Sequence, residues 1–237
     1  SGGIADLQAR LNLGNLVADG QPSAVWQVRV ARVADALGLP QDELQRLELN
    51  LAQATPPRGT RLGDTAPLPP RSFEQLGLLG LSPATLQTLR PYAAGIPGRH
   101  DVKVNLNTAP AEVIFAVAAG DLGRQVTMGD AVKPLDMTSA RQLVDTRARA
   151  YFKNLGMARM ALGGNANEAV LDDQYFLVNS NFFEARGRLR LDKLALEEVS
   201  MLYRTGSTVM VMSRQRTALT APPPGGMDFS SLQAQGR

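Results

Sequence analysis

Apolar residues near the start of the chain fall at Ile4, Leu7, Leu11, Leu13, Leu16 and Val17, a spacing that fits neither a helix nor a strand throughout. Asn12, Gly14 and Asn15 interrupt it, which predicts an extended segment closing in a turn. From Ser23 to Leu37 the pattern turns helical, with Val25, Val28, Val30, Val33, Ala34 and Leu37 close to helical spacing. Ser23 stands where a cap belongs, and Gly38 with Pro40 stops the run. Gln41 to Leu51 predicts a second helix, opening at Gln41 or Asp42. Thr55 to Pro70 is rich in proline, glycine and polar residues without an apolar period, and reads as a long loop or a partly mobile linker.

Two helical hairpins follow. In the first, Ser72 and Ser82 each lead a short helix. In the second, Val104-Asn105-Leu106-Asn107-Thr108-Ala109-Pro110-Ala111-Glu112-Val113-Ile114 reads as an extended lead, a polar cap and an apolar helix running to Ala119. Asn107 or Thr108 can offer a side-chain oxygen to the first turn, Pro110 fits that turn, and Glu112 suits the helix dipole. A partner helix runs from Thr138 or Ser139 to about Ala150, after a long polar loop from Gly120 to Met137. Gly163-Gly164-Asn165-Ala166-Asn167 is another break.

After Leu171 the period becomes two. Phe183, Ala185, Gly187, Leu189 and Leu191 alternate with Glu184, Arg186, Arg188 and Arg190, predicting a strand with one dry and one charged face. Val199, Met201 and Tyr203 continue the rule, and Thr208 to Ser213 adds a further strand. A tight turn at Asp192-Lys193 would set Arg188 opposite Glu197, a pair worth about 0.2–1 kcal/mol. The first segment, Ile4 to Val17, is then a strand of this closing sheet, with the helices inserted between. The fold class is α+β: an antiparallel sheet domain with a large inserted all-α domain.

Composition narrows the chemistry. At 237 residues and 44% hydrophobic the chain can bury a substantial core. A net charge of +3 is mild for a dedicated nucleic-acid domain. With no cysteine, disulfides, thiolate metal sites and cysteine nucleophiles are excluded. The single histidine, His100, stands in the polar stretch Pro97-Gly98-Arg99-His100-Asp101 and reads as a solvated loop residue. No apolar run approaches the roughly 20 residues of a membrane span. The chain begins Ser1-Gly2-Gly3, which fits a processed or trimmed product that has lost such a segment.

Several constellations carry candidate chemistry. The Val104 to Ile114 pattern also opens helix-hairpin-helix modules of DNA-binding proteins, and Arg141, Arg147 and Arg149 lie nearby. Such modules grip phosphate with a short Gly-apolar-Gly turn; here a loop with Asp121, Asp130 and Asp136 takes its place, which disfavours nucleic acid. Arg186, Arg188 and Arg190 read as a solvated stripe paired with Glu184, Glu197 and Glu198. Asn165, Asn167, Glu168, Asp172 and Asp173 crowd oxygen ligands of the kind calcium prefers, at no regular spacing. Gly77-Leu78-Leu79-Gly80 lacks the lysine of a phosphate loop. No serine has a histidine to serve it other than His100, and Asp172-Asp173 and Glu197-Glu198 are neighbours pointing apart in a strand. No enzyme is expected.

Three segments, in order, resemble minor pseudopilin K (general secretion pathway protein K) of bacterial type II secretion. Ile4 to Leu16 is similar to the family's first strand, where Asp-x-Gln-x-x-x-Asn-x-x-x-Leu recurs, here as Asp6, Gln8, Asn12 and Leu16. Val104 to Ile114 is similar to its second helical module, and Phe176 to Phe183 with the strands to Arg204 to its closing sheet. Ser72 to Pro97 fits its first sterile-alpha-motif-like module. The resemblance implies a pilin-like αβ domain of residues 1–20 with 168–220, and an inserted helical domain of residues 21–167. That insertion would hold two modules at about 72–97 and 105–150, and residues 221–237 form a flexible tail.

It also implies a place near the tip of the periplasmic pseudopilus beside pseudopilins I and J, with pseudopilin H and secreted substrates as further partners. Family members are anchored in the inner membrane by an apolar N-terminal helix, which this sequence lacks. Many carry an acidic Asp-Trp-Ile-Asp stretch and a Gly-Ala-Glu-Asp segment; here Leu47-Glu48-Leu49-Asn50-Leu51 and the proline-rich loop stand instead. Some bind calcium, with no ligands assignable here. No cofactor is otherwise expected. Ile4, Leu7 and Leu11 of the first strand and Met210 and Met212 of the closing sheet are the candidate partner contacts, and each is equally a core candidate. The competing reading is a helix-hairpin-helix DNA-binding protein.

Overall fold

The computed structural model describes residues 1–57, 59–61, 63–118, 135–164, 170–191 and 194–219. Most of the expected loop from Gly120 to Met137, Asn165 to Glu168, the Asp192-Lys193 turn and the tail from Ala221 lie outside those residues.

The chain opens with strand β1 (Gly2–Asp6), followed by a 3-10 turn at Leu7–Ala9, β2 (Leu11–Asn12), a second 3-10 turn at Leu13–Leu16, β3 (Val17–Ala18) and β4 (Gln21–Pro22). Helices α1 (Ala24–Leu37) and α2 (Gln41–Ala54) come next. A 3-10 helix at Glu74–Leu79 precedes α3 (Pro83–Leu89), β5 (Ala93–Ala94), β6 (Val104–Asn105) and α4 (Ala111–Val117). Then come α5 (Met137–Arg149), α6 (Leu155–Ala161), β7 (Phe176–Leu177), β8 (Phe182–Leu191), β9 (Leu194–Thr205) and β10 (Thr208–Leu219).

These elements form two units: Ser1–Leu7 with the chain from Asn179, and Gln8–Val178. The helical unit therefore begins near residue 8 rather than 21. Residues 8–20 turn into it because Leu11, Leu13, Leu16 and Val17 are all buried in its core. Asn12 and Asn15 make that path possible. Both are fully buried, and their amides satisfy main-chain groups that would otherwise be stranded. Asn12 donates to the Arg99 carbonyl at 2.9 Å and accepts from the Ile96 amide at 3.0 Å. Asn15 donates to the Val102 carbonyl at 2.9 Å and accepts from the Val102 amide at 3.1 Å. His100 belongs to this junction and is not a free loop residue: its Nδ1 lies 3.0 Å from the Gly14 carbonyl.

Local chemistry accounts for most helix ends. α1 stops at Gly38, which takes the left-handed conformation at φ 66° and returns its amide to Ala34 and Asp35. Ser23 occupies the first cap position without a side-chain bond. Ser82 caps α3 through the Thr85 amide, Asp136 caps α5 through Ser139, and Asn154 caps α6 through Met157. The helix expected behind Ser72 is instead the 3-10 turn beginning at Glu74, with no side-chain cap. α2 extends to Ala54, three residues past the expected end, because Ala54 is itself buried.

α4 corrects the expected cap. Its cap position is Pro110, and no side chain caps it. Asn107 is used across the fold: its amide donates to the carbonyls of Phe152 and Val178, both at 2.9 Å, and accepts from the Phe152 amide at 2.8 Å. It thereby clasps three segments of the helical unit. α1 docks on α4 through Arg29, which is only 3% exposed. Its guanidinium donates to the Val117 carbonyl at the end of α4, 3.0 Å away, and lies 3.8 Å from the centre of the Tyr175 ring. Tyr175 in turn meets Trp26 edge-on at 5.9 Å.

The other unit is an antiparallel sheet in the order β1-β8-β9-β10. β1 pairs with β8 from Gly2 opposite Gly187 to Asp6 opposite Phe183, so the whole helical unit is inserted between two neighbouring strands. β9 and β10 join through a two-residue turn whose Gly206 takes φ 58°. The register shifts between Val211 and Ser213, leaving Met212 as the extra residue of a bulge. Ser180 closes the unit by donating to the Asp6 carboxylate at 2.6 Å.

Candidate assembly surface

Strand pairing sorts the sheet into two faces. Partners in an antiparallel ladder share a face, and successive residues alternate. One face therefore carries Glu184, Arg186, Arg188, Glu197, Met201, Tyr203 and Met210, with Phe182 among them. The other carries Ile4, Ala185, Leu189, Leu196, Glu198, Leu202, Val209 and Val211, with Arg214 and Arg216 beyond the bulge.

The expected pairing of Arg188 with Glu197 is present, at 2.9 Å across the strands. Arg186 joins it, 3.2 Å from Glu184 and 3.7 Å from Glu197, so Arg186 and Arg188 stand in a half-buried ladder of alternating charge. Glu198 does not belong to that ladder. Pointing to the opposite face, it receives Arg214 at 3.2 Å and Arg216 at 2.6 Å. The hydrogen bond from Arg216, helped by the charges of Arg214 and Arg216, holds the Glu198 carboxyl below the usual carboxylate range.

The sequence pattern predicted the apolar face as the dry one. Among the described residues it is instead largely open: Ile4 is 74%, Leu189 71%, Val209 56% and Val211 50% exposed, while Phe183 and Leu202 are half-buried. Aromatic packing lies mainly on the charged side, where Phe182 is buried and its ring stands 5.0 Å from that of Tyr203. Period two reports alternation; it does not report which side the chain covers.

The candidate contacts divide accordingly. Ile4 and Met210 are exposed, Met212 is half-buried at the bulge, and Leu7 and Leu11 are buried at 3% and 1%. Val209, Val211 and Leu189 are further open apolar side chains that the sequence does not mark as contacts. For Val209 and Val211 the signal is the run Val209-Met210-Val211 beside a glycine turn, which places apolar side chains on both faces of one edge strand.

The arginines of α5 do not form a phosphate grip. Arg147 is turned inward, donating to the Leu106 carbonyl, and burial pushes its pKa down to about 10, so it stays charged at neutral pH. Arg141 and Arg149 line an open shelf together with Asp145, Thr138, Gln142 and Thr146, so a carboxylate sits between the cations. Among the described residues no three acidic or histidine side chains cluster to hold a metal, and no helix is long and apolar enough to cross a membrane.

No family model matches the sequence, and no curated protein does. Among solved structures, the fold is similar to that of a chain in the crystal structure of the GspK–GspI–GspJ complex from the type 2 secretion system of enterotoxigenic Escherichia coli. The superposition covers 91% of this chain and 79% of that chain, with a TM-score of 0.57 and 16% identity. At that identity the likeness is one of fold alone.

Proposed function

We propose that this chain is a minor pseudopilin of a type II secretion system, a periplasmic, non-catalytic subunit that assembles with minor pseudopilins I and J near the tip of the pseudopilus. The observation that carries the reading is the shared fold across 91% of the chain with a subunit of the GspK–GspI–GspJ complex. The open apolar side chains of the sheet, Ile4, Leu189 and Met210, supply contact area of the kind an assembly subunit needs. In this reading the two helical hairpins are the sterile-alpha-motif-like modules of the insertion. Their bulk opposes addition of another subunit above, so the chain ends the fibre it belongs to.

The test is to mix the chain with minor pseudopilins I and J from the same genome and measure mass by size-exclusion chromatography with light scattering. A single species of the summed mass is expected at micromolar concentration. Three separate peaks would overturn the reading. A complex with duplex DNA at near-physiological salt would replace it with nucleic-acid binding.

A further inference from the structure

The two edges of the sheet are built differently. β1 is five residues long and carries two glycines, a short edge of the kind proteins use to discourage pairing. β10 is twelve residues long, with no proline and no lysine, and among the described residues nothing pairs with its outer side. The two-residue turn fixes which of its amides face outward. Thr205 and Thr208 flank the turn and form a hydrogen-bonded pair, so alternate residues point away from β9. Counting through the bulge, the outward amides are those of Val209, Val211, Arg214, Arg216 and Ala218.

Charge along this edge is one-sided. Arg214 and Arg216 share the single carboxylate of Glu198, and neither guanidinium is buried. β10 contains no acidic residue to balance them. Its turn-proximal half offers open apolar side chains at Val209, Met210 and Val211 instead.

We propose that the outer edge of β10 accepts an extended segment of a neighbouring subunit as a fifth strand. Its carboxylates would face Arg214 and Arg216, and its apolar side chains Val209 and Val211. Main-chain bonds to the outward amides supply affinity, and the charge and apolar pattern supplies selection. The inference rests on the assembly reading only for the source of that segment.

The experiment uses the full chain and a synthetic peptide of β10's length, with glutamates at alternate positions in one half and valines in the other. Hydrogen exchange is read residue by residue. Exchange at the outward amides is expected to slow by roughly tenfold or more with the peptide bound, as these groups enter a ladder. The effect should be lost with a peptide bearing lysine for glutamate, and weakened in the Arg214→Gln/Arg216→Gln variant. Ala218→Pro removes one outward donor and no bond to β9, so it should reduce binding while leaving the melting temperature unchanged. Failure of the acidic peptide to bind, or equal binding of the lysine peptide, would overturn the proposal. So would protection of β10 in the chain alone that grows with concentration, which would make a second copy the occupant. Each of these results leaves the complex with pseudopilins I and J, read by light scattering, to stand or fall separately.

Discussion

Asn107 offers the sharpest test of how the helical unit is held. Asn107→Ala removes three hydrogen bonds and leaves the Phe152 amide, the Phe152 carbonyl and the Val178 carbonyl without this partner. A buried main-chain group left unsatisfied costs about 1–3 kcal/mol. Phe152 is buried and loses two bonds, while Val178 is half-buried and regains water. The expected loss is about 3 kcal/mol, with most of it from Phe152. For a domain of this size that lowers the melting temperature by about 6–12 °C, measurable by circular dichroism. Asn107→Asp separates this account from helix capping. Aspartate caps as well as asparagine, but here it would set a carboxylate against two carbonyls and should destabilise nearly as much as alanine. A melting temperature for Asn107→Asp within a degree or so of the parent would refute the clasp.

Two further substitutions test the junctions around it. At Gly14 a β-carbon would lie 2.5 Å from the Arg99 carbonyl oxygen, which is main chain and cannot step aside; Gly14→Ala should cost about 1–3 kcal/mol by denaturant titration, whereas Gly3→Ala, with open space around it, should not. Glu43 accepts the Ser82 amide at 2.8 Å, and this bond, aided by the Thr85 and Ser82 hydroxyls and Arg46 against a smaller desolvation cost, lowers its pKa from the ordinary 4.5. Its stabilising contribution is complete above that value and disappears as pH falls through the lowered one. The gap in melting temperature between parent and Glu43→Gln should therefore close on acidification through this window, and a gap that stays constant would disprove the role assigned to the carboxylate.

What was legible in the sequence was largely what neighbours along the chain decide. Gly38 marks the end of α1 because a left-handed residue is a local requirement, and Arg188 opposite Glu197 follows once the turn length is known. Asn107 reads as a cap because an asparagine before an apolar helix is a sound local cap, and nothing local reveals that Phe152 and Val178 compete for it. Asn12 and Asn15 looked like breakers of regular structure. They are that, but the same amides pair with main chain more than eighty residues away. Asp6, Gln8, Asn12 and Leu16, which carried the resemblance, are a scaffold: Gln8 is buried and donates to the Lys103 carbonyl, and Leu16 lies in the core. The candidate surface was the least legible part, since exposure of Ile4 and Leu189 depends on what the rest of the chain leaves uncovered.

The placement of β1 beside β8 has a consequence for the order in which the molecule forms. Loop closure grows costlier by about 0.6 kcal/mol with each doubling of length. Pairing Gly2 with Gly187 across the unfolded chain is therefore dearer by about 4 kcal/mol than closing the β9–β10 hairpin. Five residue pairs return little against that. The β8-β9-β10 meander can nucleate alone, while β1 gains its place only after the helical unit has collapsed and shortened the path between its ends. Melting the helices thus removes a strand from the sheet, and the first strand in the sequence is the last to join.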